Sequence, residues 1–129
     1  MADRKILMVD DEPHIIILLE QVFEALEDDY GVELLTATEG ETALALVQSQ
    51  RPQLVILDVM LPKISGLEVC KRVKTDPDLS TTVVILLTAK GQQFDRQTGL
   101  AMGADYYMTK PFRPRELFTQ AKTILGLED

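Results

Sequence analysis

Asp10, Asp11, Asp58, Thr88 and Lys110 lie far apart in the chain, yet each sits at or just beyond the end of a short apolar run. Taken singly, an aspartate after a strand is a turn former or helix cap, a threonine is a strand-end hydroxyl, and a lysine is a surface charge. Together at one edge they have a different chemistry. Carboxylates gathered a few ångströms apart repel one another, so such a site must either raise a pKa or hold a cation, and an all-oxygen donor set suits Mg²⁺ with several retained waters. Thr88 and Lys110 add a hydroxyl donor and an ammonium. Phosphoryl transfer requires an oxygen nucleophile placed in line, with positive charge and hydrogen-bond donors on the equatorial oxygens; Asp58, Mg²⁺, Lys110 and Thr88 could supply those parts.

Bringing these residues together requires a particular scaffold. Apolar, β-favouring runs occur at Lys5 to Val9, Val32 to Ala37, Leu54 to Leu57, Val83 to Leu87 and Ala104 to Met108, each of strand length. Helical periodicity fills the intervals. Pro13 suits the first turn of a helix after an acidic cap, and Ile16, Leu19, Phe23 and Leu26 then recur until Asp28-Asp29-Tyr30-Gly31 ends the pattern. Ala43, Leu44 and Val47 mark a second helix, and Leu67, Cys70 and Val73 a third. Phe94 and Ala101 mark a fourth, and Leu117, Ala121 and Ile124 a fifth. Almost continuous apolar strands such as Val83 to Leu87 belong to parallel sheets covered on both faces. The expected architecture is α/β, a doubly wound (βα)₅ fold of flavodoxin-like topology with strand order 2-1-3-4-5. Its ligand crevice opens between strands 1 and 3, where Asp10, Asp11 and Asp58 fall.

The 129 residues, 46% of them hydrophobic, suffice for one domain spanning residues 1–129. Thirteen basic against twenty-one acidic residues give a net charge of −8, which argues against nucleic-acid binding. A single cysteine excludes an internal disulfide and fits a reducing cytoplasm. No apolar run reaches membrane-spanning length, and the N-terminus carries no secretory pattern. The expectation is a cytoplasmic protein without membrane contact.

With its chemistry placed, the chain resembles the response-regulator receiver family of two-component signalling from Lys5-Ile6-Leu7-Met8-Val9-Asp10-Asp11-Glu12-Pro13 to the last helix. Asp58-Val59-Met60-Leu61-Pro62 followed by Gly66, the pair Thr88-Ala89, and Tyr107-Met108-Thr109-Lys110-Pro111-Phe112 match that family's motifs in order and spacing. The resemblance implies that Asp58 accepts a phosphoryl group from a phosphohistidine donor, either a sensor histidine kinase or a histidine phosphotransfer domain. Asp11, Asp58 and the Met60 carbonyl would ligate Mg²⁺, with Asp10 acting through metal-bound water and Lys110 pairing with the phosphoryl group. Thr88 and Tyr107 would be switch residues that alter the face formed by the fourth helical segment, the fifth strand and the fifth helix for an unknown downstream protein target. The Lys110-Pro111 bond is expected to be cis.

Finer features follow from the same comparison. Met60 and Lys90 border the path of an attacking water and, being apolar and cationic, imply a long-lived phosphorylated state. Lys90 to Arg96, Asp105 and Arg115-Glu116-Leu117 resemble receivers that dimerise on activation, but Tyr106 and Gln120 replace an acidic residue and an arginine of that pattern. His14 is expected to face solvent and Cys70 to pack in the interior. Three other functions share some of these features. A phosphohydrolase with an aspartyl nucleophile needs a second aspartate where Met60 stands. A flavin carrier would meet repulsion from Asp10-Asp11-Glu12. A pseudo-receiver that binds without phosphorylation keeps the fold only. The chain stops just after the fifth helix, as a free-standing or an excised receiver would.

Overall fold

The structure is a computed structural model that describes residues 4–89 and 103–127. Its elements run β1 (Lys5–Val9), α1 (Pro13–Tyr30), β2 (Glu33–Ala37), α2 (Gly40–Gln50), β3 (Leu54–Asp58), α3 (Gly66–Thr75), β4 (Val83–Ala89), β5 (Tyr106–Lys110) and α4 (Pro114–Ile124). The helix expected around Phe94 and Ala101, and Lys90 with it, lie outside the described residues.

All strand pairs are parallel, and the five strands form one sheet in the order β2-β1-β3-β4-β5. Because side chains alternate across a strand, β1 sends Ile6 and Met8 to one face and Leu7 and Val9 to the other. Two cores result. Ile6 and Met8 pack with Leu19 and Phe23 of α1 and Leu117 of α4, whereas Leu7 and Val9 pack with Val47 of α2 and Val69 and Val73 of α3. Burial on both faces is why β3 reads Leu54-Val55-Ile56-Leu57 without a polar break. Cys70 is fully buried in the second of these cores, and burial pushes its thiol up to about 11, so it is packing material as expected.

The helix ends follow capping chemistry. Pro13 opens α1, and Gly31 closes it in the left-handed conformation (φ 68°), its N–H donating to Glu27 O at 3.1 Å while Val32 N–H reaches Leu26 O at 3.3 Å. Ser65 caps α3 by accepting from Glu68 N–H. The expected acidic cap of α1 is only partly right. Glu12 occupies the cap position, but its side chain makes no cap hydrogen bond; its own N–H instead donates to Asp10 Oδ1 at 2.9 Å.

Some details differ from the sequence reading: β2 starts at Glu33 rather than Val32, and β3, β4 and β5 run on to Asp58, Ala89 and Lys110. The buried face of α1 begins at Ile15, with Ile16 half-buried beside it. On α3 the inward position is Val69, one turn from Val73, while Leu67 only borders the core. Strand β5 starts at Tyr106, two residues later than its apolar run. Gly103 turns there with φ 92°, and Asp105 is spent on a junction: its Oδ2 accepts from Val84 N–H (2.9 Å) and from Lys74 Nζ (3.0 Å), which also donates to the carbonyls of Ser80 and Thr82.

Gly66 is the tightest point between helix and sheet, because a Cβ there would overlap the Asp58 carbonyl, whereas one on Gly31 would meet nothing. Gly66→Ala should therefore cost at least about 2 kcal/mol, since backbone must move. Gly31→Ala should cost about 1 kcal/mol, from its positive φ alone. Urea denaturation of the two variants checks the ranking; equal losses would show that the close approach at Gly66 is not a constraint.

Candidate phosphoacceptor site

Parallel strands of matched register deliver the polar residues to one edge. In β3 and β4, Asp58 pairs with Leu87, and in β4 and β5, Thr88 pairs with Thr109 and Ala89 with Lys110. β1 ends at Val9, so Asp10 follows directly and is held by its N–H donating to Ala37 O at 3.1 Å. Asp10 is fully buried, Asp58 is 3% exposed and Thr88 is 2% exposed. Buried carboxylates of this kind persist only with partners.

Lys110 is that partner. Its Nζ lies 2.9 Å from Asp10 Oδ2, 3.4 Å from Asp58 Oδ1 and 3.5 Å from Glu12 Oε1. The bond that follows it, Lys110-Pro111, is cis, as expected. Burial by itself pulls the Lys110 ammonium down, but the hydrogen bond and charge of Asp10, with Asp58 and Glu12, outweigh it and the net shift is upward. Asp58 behaves oppositely. Burial first and the charge of Asp10 second raise its carboxyl to about 6, against the pull of Lys110 and a hydrogen bond from the Met60 backbone N–H.

The side-chain oxygens of Asp10, Asp11 and Glu12 lie within 4.8 Å of one another. Asp58 joins that group through Lys110 rather than by direct grouping. Glu12, which the sequence reading of Asp10, Asp11, Asp58 and Met60 as the metal set did not include, stands on the same edge as a third consecutive carboxylate. Among the described residues three carboxylates, Asp10, Glu12 and Asp58, face the Lys110 ammonium and a fourth, Asp11, groups with Asp10 and Glu12, a surplus of negative charge on hard oxygen donors that fits a divalent cation such as Mg²⁺.

The remaining positions fall as follows. The Met60 side chain is 54% exposed, and Tyr107 is half-buried against the α2 and α3 core. His14 is exposed, with Nε2 at 3.7 Å from Glu12 Oε2. No helix among the described residues is long and apolar enough to cross a membrane.

Residues 6–122 match the family described as the response regulator receiver domain. The chain belongs to that family. It is 45% identical over 123 residues to the alkaline phosphatase synthesis transcriptional regulatory protein PhoP of Bacillus subtilis (strain 168), covering 95% of this chain and 49% of that one. It is 40% identical over 121 residues to the phosphate regulon transcriptional regulatory protein PhoB of Rhizobium meliloti (strain 1021), covering 94% and 52%. The receiver thus spans about half the length of the curated relatives it matches. Among solved structures, a putative response regulator from Chloroflexus aurantiacus J-10-fl superposes with a TM-score of 0.85 at 36% identity, covering 97% of this chain and 99% of that one. The BeF₃-activated DrrB receiver domain does so at 0.82 and 34%, with the same coverage. These matches make the chain a response-regulator receiver domain in two-component signalling, with the CheY-like, flavodoxin-like fold expected from its sequence.

The raised Asp58 pKa carries a stability consequence in metal-free protein. An acid that titrates near 3.8 unfolded and near 6 folded binds more protons in the folded state between those values, so stability falls as pH rises through that window. Ionised Asp58 should cost about 3 kcal/mol at pH 7. In chelator, Asp58→Asn should thus match the parent near pH 4 and gain stability over it as pH approaches 7, measured by urea denaturation. A difference that stays constant with pH would contradict this.

Proposed function

We propose that residues 1–129 form one phosphoacceptor receiver domain of a two-component phosphorelay, in which Asp58 takes a phosphoryl group from a phosphohistidine donor with Mg²⁺ as cofactor. The observation that carries this reading is Lys110 reaching three carboxylates, Asp10, Glu12 and Asp58, at the carboxyl edge of the sheet. Each part then has a task. An Asp58 carboxylate oxygen attacks phosphorus as the P–N bond of the donor breaks, and the imidazole nitrogen leaves with the electron pair. Asp11, Asp58 and the Met60 carbonyl would hold Mg²⁺, with Asp10 acting through metal-bound water, and the bound ion would supply positive charge to the phosphoryl oxygens; Glu12 adds a further carboxylate nearby. Lys110 exchanges its carboxylate partners for a phosphoryl oxygen, and Thr88, buried beside Asp58 on the neighbouring strand, supplies a hydroxyl donor.

The chain acts as a signalling acceptor rather than a turnover enzyme. A side chain able to serve as acid and base two residues beyond Asp58 would be needed for rapid hydrolysis, and Met60 stands there. Phosphorylation shifts population toward the arrangement in which Thr88 and Lys110 contact the phosphoryl group, and Tyr107 relays that change to the surface around β5. The donor is a sensor histidine kinase or histidine phosphotransfer domain, in the cytoplasm, and the output is a protein contact on that surface. The relatives' names as transcriptional regulators point to an output domain outside the matched half; the receiver itself, at net −8, is not the part that holds nucleic acid. Asp105, expected at a dimer face, is engaged within its own chain through Oδ2 by Lys74 and Val84, so an activation-dependent dimer would share that carboxylate with these contacts.

Incubation with acetyl phosphate and Mg²⁺ should add one phosphoryl group to the intact mass, and the addition should vanish in Asp58→Asn and with chelator. Labelling that persists in Asp58→Asn would overturn the acceptor assignment. A folded, Mg²⁺-binding parent that takes no label from acetyl phosphate or a kinase would instead identify a pseudo-receiver.

A further inference from the structure

The loop between β3 and α3 carries a backbone conformation that its sequence does not favour. Lys63 has φ 69°, in the left-handed region where a lysine side chain is unfavourable. It is the middle residue of a γ-turn, closed by Ile64 N–H donating to Pro62 O at 2.9 Å. A residue so placed returns to ordinary φ unless its surroundings hold it.

Two contacts do so, and both come from the start of α2. Lys63 Nζ lies 3.2 Å from Glu39 Oε1. The adjacent residue, Gly40, packs so closely that a Cβ on it would come within 2.6 Å of the Ile64 carbonyl and 3.1 Å of Ile64 Cβ. The loop is pinned at its far end by Gly66 N–H donating to Val59 O at 2.8 Å. At its near end the Met60 N–H donates to the Asp58 carboxylate. Displacement of the γ-turn is therefore felt at Met60, next to the carboxylate that is to react.

We propose that Glu39 and Lys63 are positioning residues for the acceptor: their ion pair holds the left-handed γ-turn, and the turn holds Met60 against Asp58. The inference deepens the reading of Asp58 as phosphoacceptor and rests on it for function, but its structural half stands alone. The pair lies at the surface, the Lys63 side chain 61% and the Glu39 side chain 39% exposed, so its strength is modest, on the order of a few-fold in a local equilibrium. Its necessity comes from the strain. Glycine at position 63 adopts positive φ freely and has no need of Glu39.

The test is amide hydrogen exchange in metal-free protein, read at Met60 relative to Val59, whose N–H donates to Leu87 O in the neighbouring strand. Glu39→Gln should speed exchange at Met60 about threefold against that reference, while Lys63→Gly leaves it within about twofold of the parent. Glu39→Gln added to Lys63→Gly should then change nothing further. Acetyl phosphate labelling should follow the same order, with the Mg²⁺ concentration for half-maximal labelling raised about threefold by Glu39→Gln and restored in the double variant. No effect of Glu39→Gln on Met60, or an equal effect in both backgrounds, would overturn the proposal. So would acceleration at Met60 and Val59 alike, which is general destabilisation. Exchange that follows the expected order in a protein that takes no label would uphold the positioning and sink the acceptor reading instead.

Discussion

Among the described residues, the functional edge of this protein is organised by one ammonium among carboxylates. Lys110 enters on β5, from the edge of the sheet, and meets Asp58 at the end of the central strand β3 and Asp10 just beyond the end of β1 beside it. Both carboxylates are buried, so the lysine offsets a repulsion that would otherwise have to be relieved by protonation. The offset is incomplete, because Asp11 and Glu12 add two more carboxylates on the same side. The site is left with an unsatisfied demand for positive charge, which is the electrostatic requirement of a cation-assisted acceptor.

The rest of the fold makes that convergence possible. A parallel sheet puts all strand ends of one polarity on one edge, so residues separated by a hundred positions become neighbours without any local sequence relation. The two hydrophobic layers fix strand register, because a slip of one residue would send the side chains shaped for one core into the other. Close approaches finish the job. Gly66 lets α3 rest on the Asp58 carbonyl, and Gly40 lets the acceptor loop rest on α2. The polar edge is thereby built on strand ends, while the loops that complete it are braced against helices.

Much of this was legible in the sequence, for identifiable reasons. The strands were visible because burial on both faces leaves an uninterrupted apolar run, and the positions of Asp10, Asp58, Thr88 and Lys110 at their ends followed from simple counting. The start of β5 was misplaced because Ala104 is buried and reads like strand, although the chain there is still turning at Gly103 and tied down by Asp105. Glu12 was seen as a helix cap, a local role, when its side chain is drawn to a lysine 98 positions away. Glu39 and Lys63 gave no signal at all. A left-handed lysine has no pattern in sequence, and an ion pair between two loops is visible only once the sheet has brought them together.

Reduction of the phosphorylated protein with borohydride measures most directly where the phosphoryl group resides, because an acyl phosphate is converted to an alcohol and an aspartate so modified becomes homoserine. Peptide sequencing by mass spectrometry should find homoserine at position 58 alone, with Asp10 and Asp11 unchanged. Homoserine at Asp10 or Asp11, or its absence from protein that carries the added phosphoryl mass, would contradict the assignment of Asp58 as the acceptor.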